Sequence, residues 1–255
     1  MGGCEHAPTQ YLMEERLKKV AIVALGPSSQ HYIQMVDAAG DRKKLFDETW
    51  TFNTYASLIE SDRIFHMDDF KVQEARAVKN ERVAGMLEAL KRYKNPIYTS
   101  FPEPEYPTSE AYPIKEVIEA FGSMYFTSTP PYALAYAMLR RVEEVAIFGA
   151  DYTYPGVAGC EDGRACLEYW IGRAQQMGMR VLVSERSTLL GQRERSNFSS
   201  IPMYGFDRVQ VGLIEDGENR YKLRFTPKAL PSVEEIEKRY SHRKAGSELV
   251  VDVVN

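Results

Sequence analysis

Residues able to bind and transfer a phosphate-bearing group gather at several places in this sequence. Gly26-Pro27-Ser28-Ser29 follows an apolar run over 20–25. Gly26 permits a tight turn or a close approach to a ligand, and Pro27 presets φ for a first helical turn. Ser28 and Ser29 can cap that turn or bond a ligand oxygen. A strand that enters such a turn and then a helix offers N–H groups and the positive end of the helix dipole to an anion. A single glycine makes neither a GxGxxG nor a Walker A loop, so an ordinary strand-to-helix connection stands beside the phosphate reading. The segment 62–69 ends in His66, Asp68 and Asp69. The two carboxylates could hold a hard cation such as Mg²⁺ on a nucleotide, while Asp69 equally suits the N-cap of a following helix. Thr127-Ser128-Thr129, before Pro130-Pro131, sets three hydroxyls at a helix start. Asp151 follows another apolar run by a Gly-Ala step, where a base or a turn residue are both in place. Tyr152 and Tyr154 lie two apart, so an extended segment would aim both phenols to one side. Asn53 falls near the C-terminal end of a further strand pattern, as a ligand residue or a turn residue.

The elements that must carry these residues are legible from their periods. Apolar or alternating runs predict strands over 20–25, 49–53, 62–66, 97–100, 142–148 and 179–183. Helical spacing predicts helices over 30–39, 70–91, 114–121, 132–141 and 161–178. The proline-rich stretch 101–112 is expected to be a lid or rim, or a plain solvated loop. Strand alternating with helix implies an α/β, doubly wound, mostly parallel Rossmann-like sheet, with 20–25, 145–148 and 181–183 among its central strands. Alternating runs at 209–213 and 221–225 predict a hairpin, and 233–243 a terminal helix. The expected organisation is a flexible leader over 1–18, a nucleotide-binding domain over 19–192, and the hairpin and helix of 193–255 packed on that domain.

The 255 residues are 44% hydrophobic and 27% charged, an ordinary soluble composition. A net charge of −4 supplies no global field for nucleic acid or an anionic membrane, so neither is an expected partner. No apolar run reaches membrane-spanning length and no secretory h-region opens the sequence. Cys4, Cys160 and Cys166 are too few and too unevenly spaced for a disulfide framework, and read as reduced thiols of a cytoplasmic protein. Homo-oligomer formation is left open.

Taken in order, Gly26-Pro27-Ser28, Asn53, Thr127-Ser128-Thr129 and Gly149-Ala150-Asp151 with Tyr152 and Tyr154 resemble the sialyltransferase-like group of Rossmann-type proteins. That group includes bacterial sialyltransferases, MptE-like pterin diphosphokinases and motility-associated flagellin-modification proteins. The segment 184–190, Ser-Glu-Arg-Ser-Thr-Leu-Leu, is similar to the group's Asn-Ser-Leu-Leu-type turn and brings in Ser187. The resemblance covers about residues 19–192. Ala24 stands where the group has its first turn glycine, and no histidine lies between Tyr154 and the 184–190 turn, where the sialyltransferases have a base.

The resemblance implies a nucleotide-sugar-dependent glycosyltransferase. The nucleotide would lie on Gly26, Pro27, Ser28 and Ser29, with Asn53, Thr127, Ser128, Thr129 and Ser187 bonding ribose, base or phosphate. Tyr152 and Tyr154 would donate to the departing phosphate, with Asp151, or one of Asp68 and Asp69, as base. An Mg²⁺-dependent diphosphoryl or nucleotidyl transferase and a non-catalytic nucleotide-binding protein are the alternatives. Mg²⁺ is the one cofactor these residues suggest.

Overall fold

Strand β1 (Lys19–Val23) sends Val20 and Ile22 to one face of a sheet and Ala21 and Val23 to the other, and all four are buried. Both faces must therefore be covered, which accounts for its continuous apolar run. A computed structural model describes residues 17–153, 158–191, 205–206, 208–215 and 221–240. The other strands of the sheet are β2 (Glu48–Phe52), β3 (Arg63–Phe65), β4 (Ile97–Thr99), β5 (Ser109–Ala111), β6 (Glu144–Phe148) and β7 (Arg180–Val183). They lie in the order β5-β4-β3-β2-β1-β6-β7, and every pair is parallel. The fold is α/β, as expected.

The helices are α1 (Ser29–Ala39), α2 (Phe70–Ala77), α3 (Glu81–Arg92), α4 (Ile114–Phe121), α5 (Thr129–Leu139) and α6 (Ala158–Gln176). Tyr32 of α1 packs with Ala21, Val23, Ala146 and Phe148 on one face. Phe70, Met86, Leu87 and Leu90 of α2 and α3 pack against Ile64 and Ile97. On the opposite face α5 and α6 meet Val20, Ile22, Trp50, Phe65, Val145 and Ile147. Every residue of α5 from Ala133 to Leu139 is buried, so that helix is apolar all round rather than amphipathic.

The chain winds outward from β1 to β5, then returns through α4 and α5 to lay β6 on the other side of β1. Strand order thus reverses at β1, and the carboxyl ends of β1 and β6 flank the switch point at which such sheets bind ligands.

Two expectations need correction, and a third is narrowed. The helix expected over 70–91 is two helices, because Asn80 caps α3 by accepting the Val83 N–H at 3.2 Å. Strand β7 lies at the edge of the sheet, not among the central strands. Its side chains alternate between half-buried and exposed, and Leu182 points to solvent. The proline-rich stretch is not simply solvated, since Tyr106 is buried and stacks on Phe70 with ring centroids 3.7 Å apart. It leads into β5, an edge strand.

The chain divides into two compact units, Met1–Glu194 and Arg195–Asn255. In the second, β8 (Val209–Glu215) and β9 (Tyr221–Pro227) form an antiparallel pair, followed by α7 (Val233–Tyr240). Ser232 and Glu235 exchange the two hydrogen bonds of a capping box at the start of α7. The expected leader, apart from residues 17 and 18, and the tail after residue 240 lie outside the described residues. No helix among the described residues is long and apolar enough to cross a membrane.

Candidate functional site

The turns after β1 and β6 are stitched together. The Ala24 N–H donates to the Phe148 carbonyl at 2.8 Å, and the Gly26 N–H donates to the Gly149 carbonyl at 2.7 Å. Only glycines fit here. A Cβ on Gly149, which has φ +70, would fall 2.0 Å from the Ala24 carbonyl oxygen, and one on Gly26 would fall 2.5 Å from that of Gly149.

Asp151 is 3% exposed and its carboxylate closes the junction. Its Oδ2 accepts the Ser28 N–H at 2.7 Å and its Oδ1 accepts the Ser28 hydroxyl at 2.6 Å. The Gly149 N–H donates in turn to Ser28 Oγ at 2.8 Å. The next three N–H groups, of Ser29, Gln30 and His31, donate to the carbonyls of Gly26, Pro27 and Ser28. The anion position at the start of α1 is therefore filled by the chain's own carboxylate. Thr188, after β7, donates its hydroxyl to the Asp151 carbonyl, which ties a third strand end to the same point.

Tyr152 has φ +48, a left-handed conformation costly for a bulky side chain. Its phenol shares a 2.9 Å hydrogen bond with Ser128 Oγ, just before α5. Burial pushes the phenol well above its ordinary range, against a smaller opposite effect of the Ser128 bond, so Tyr152 is a neutral hydrogen-bonding phenol at physiological pH. Thr127 donates its hydroxyl to the Asp162 carbonyl at 3.0 Å, and Thr129 is the first residue of α5. Ser187 is buried in the turn after β7, where its Oγ accepts the Leu189 N–H at 3.1 Å. Tyr154 lies outside the described residues.

A second group sits at the ends of β2 and β3. Asn53, also left-handed with φ +44, meets His66 Nδ1 through its Oδ1 at 2.7 Å and donates from Nδ2 to Asp68 Oδ2 at 3.1 Å. His66 is fully buried, and burial pushes its imidazole down to about 4, opposed by the Asp68 charge. Asp69 caps α2 by accepting the Val72 N–H at 3.1 Å. No group of three His, Cys, Asp or Glu among the described residues is placed to hold a metal ion. Ser29 Oγ and Tyr55 OH, 2.6 Å apart, link this group to the β1 turn.

Ser28 and Asp151 are thus in direct contact, Ser128 meets the neighbouring Tyr152, and Asn53 meets Asp68. Tyr55, Thr188 and the His31–Ser184 pair (3.0 Å) are parts of this edge that the sequence reading did not single out. Ser184 and Thr188 lie in the 184–190 turn that carries Ser187, Tyr55 shortly after β2, and His31 in the first turn of α1.

No family model matches the sequence, and no curated protein matches it. Among solved structures, the chain is similar to the sialyltransferase CstII from Campylobacter jejuni in complex with cytidine-5′-monophosphate. Sequence identity is 14% and the TM-score 0.42, over 89% of this chain and 99% of that one. A CST-II complex with a trisaccharide acceptor and CMP matches at 14% identity and a TM-score of 0.39, over 88% of this chain and 99% of that one.

Proposed function

We propose that the chain is a nucleotide-dependent transferase acting on a nucleotide sugar, with the nucleotide along the carboxyl edge between Asn53 and Tyr152. One observation carries this reading. Of the four non-glycine residues held left-handed among the described residues, two lie on either side of the carboxyl end of β1, Asn53 directly after β2 and Tyr152 four residues after β6. Such backbone strain persists only where surrounding structure enforces it, and it collects at ligand sites. Here it brackets the switch point, where sheets of this topology bind ligands.

In this reading the Asn53 amide and the hydroxyls of Ser128 and Thr129 bond the nucleotide. Tyr152, a neutral phenol, donates to the phosphate as charge develops on it. The Gly26–Ser29 turn acts mainly through Asp151, positioning the Tyr152 backbone rather than cradling the phosphate. Ser187 and Thr188 brace that arrangement from β7.

The test is a thermal-shift screen of nucleoside mono- and diphosphates and nucleotide sugars, with and without Mg²⁺. A ligand at one hundred times its Kd stabilises by about 2.7 kcal/mol, a shift of a few degrees for a chain of this length. The expected result is a metal-independent shift with a cytidine or uridine nucleotide that is lost in Asn53→Ala and Tyr152→Phe. No shift with any nucleotide, or equal shifts in both variants, would overturn the reading. A shift seen with ATP only in the presence of Mg²⁺ would favour a diphosphoryl transferase instead.

A further inference from the structure

We infer that His66 is a positioning residue, whose Nδ1–H fixes the rotation of the Asn53 amide so that Asn53 offers a hydrogen-bond donor at the carboxyl edge. The inference rests on the reading that a nucleotide lies at that edge. It follows from the order in which the partners constrain one another.

An ionised carboxylate can only accept, so Asp68 Oδ2 must face the Asn53 amide nitrogen, 3.1 Å away. The Asn53 carbonyl oxygen is then the atom 2.7 Å from His66 Nδ1. An oxygen there can only accept, so the imidazole proton sits on Nδ1 and Nε2 carries a lone pair. The structure agrees on a separate point, because His66 Nε2 is buried and has no hydrogen-bond partner among the described residues. A proton on Nε2 would bury an unpaired donor, which costs more than an unpaired lone pair beside aromatic rings.

The ring is also locked in place. It stacks on Phe70 with centroids 4.7 Å apart, and Phe70 stacks on Tyr106 at 3.7 Å. The His66 backbone N–H donates to the Tyr98 carbonyl at 2.8 Å. Asn53 is therefore gripped at both ends of its amide while its backbone holds φ +44. One N–H of the amide is taken by Asp68, and the other, which has no partner among the described residues, is available to a ligand acceptor such as a ribose hydroxyl or a base carbonyl.

Two variants separate this role from simple packing. Asn at position 66 can place an amide N–H near the position of Nδ1, whereas Gln places it near that of Nε2. CMP serves as the probe by calorimetric titration, with melting temperatures recorded alongside. His66→Asn is expected to keep the Kd within about threefold of wild type, and His66→Gln to weaken it by about tenfold, the equivalent of one well-placed hydrogen bond. Equal weakening in both variants would reduce His66 to packing and overturn the inference. The tautomer is read independently in the ligand-free protein from histidine ring ¹⁵N resonances. Protonated Nδ1 with bare Nε2 is expected, and the reverse would overturn the inference whatever the titrations give. If wild type fails to bind CMP while Nδ1 carries the proton, the choice of nucleotide fails and the positioning role stands.

Discussion

A buried carboxylate must be satisfied either by the chain or by a ligand, and at Asp151 the chain does it. Both oxygens are taken by one residue, Ser28, whose N–H and hydroxyl approach from the opposite turn. This alters what the usual isosteric substitution reports. In Asp151→Asn one carboxylate oxygen becomes an NH₂ group. If the remaining oxygen keeps the Ser28 N–H, the amide nitrogen can donate to Ser28 Oγ beside the Gly149 N–H, but the Ser28 hydroxyl proton is left without its acceptor. If it keeps the hydroxyl, two N–H donors face each other in a dry site. An unsatisfied buried donor costs about 1–3 kcal/mol, so Asp151→Asn is expected to lose roughly 2 kcal/mol of stability in denaturant titration. Unchanged stability would show that this latch contributes nothing. Ser28 and Asp151 were each legible as residues of interest, but their contact was not. It joins positions 123 apart, and no local pattern carries such a pairing.

Among the elements, α6 holds the sharper case. Its apolar spacing is readable, yet Gly163 near its start looks like a weak point in a helix. In an open helical position Gly→Ala gains up to about 1 kcal/mol from propensity alone. At Gly163 the added Cβ would fall 2.5 Å from Tyr152 Cε1 and 3.3 Å from Ser128 Oγ, which are the two groups sharing the phenol hydrogen bond. Gly163→Ala is therefore expected to lower the melting temperature and weaken nucleotide binding. Gly172→Ala in the same helix, where a Cβ meets nothing within 4 Å, is expected to hold or raise the melting temperature. Equal gains in both would mean that Tyr152 is free to move. The same contrast explains what periodicity could and could not deliver. Strands β1 and β6 and helix α4 follow from their patterns because burial alone shaped them. The break at Asn80 came from one capping side chain, and the edge position of β7 from strand order, which a local apolar run does not encode.

For the molecule as a whole, the neutral state of His66 links the carboxyl edge to overall stability. Unfolded, its imidazole titrates near 6.5, and burial holds it to about 4 in the folded protein, with Asp68 opposing that shift. A base with a depressed folded value binds its proton more readily when unfolded, so protons favour the unfolded chain. The contribution is fully present above about pH 6.5, declines as the pH falls through the interval toward 4, and changes no further below it. The interval from 6.5 to about 4, at about 1.4 kcal/mol per pH unit, amounts to between about 3 and 4 kcal/mol, of which about 3 is lost between pH 7 and 4. Carboxylates add their own losses at lower pH. Asp62, for example, is raised by burial but held below its usual range by hydrogen bonds from Arg42, Lys43 and the Thr49 N–H. The useful quantity is thus the difference between wild type and His66→Asn, which removes the titrating ring and keeps a donor for Asn53. Denaturant unfolding of both proteins at pH 7, 6, 5 and 4 measures it. Wild type is expected to lose about 3 kcal/mol more than His66→Asn across that range, with most of the difference between pH 6 and 4. Parallel curves for the two proteins would show that His66 takes up its proton as easily folded as unfolded, and would remove the link between this edge and acid stability.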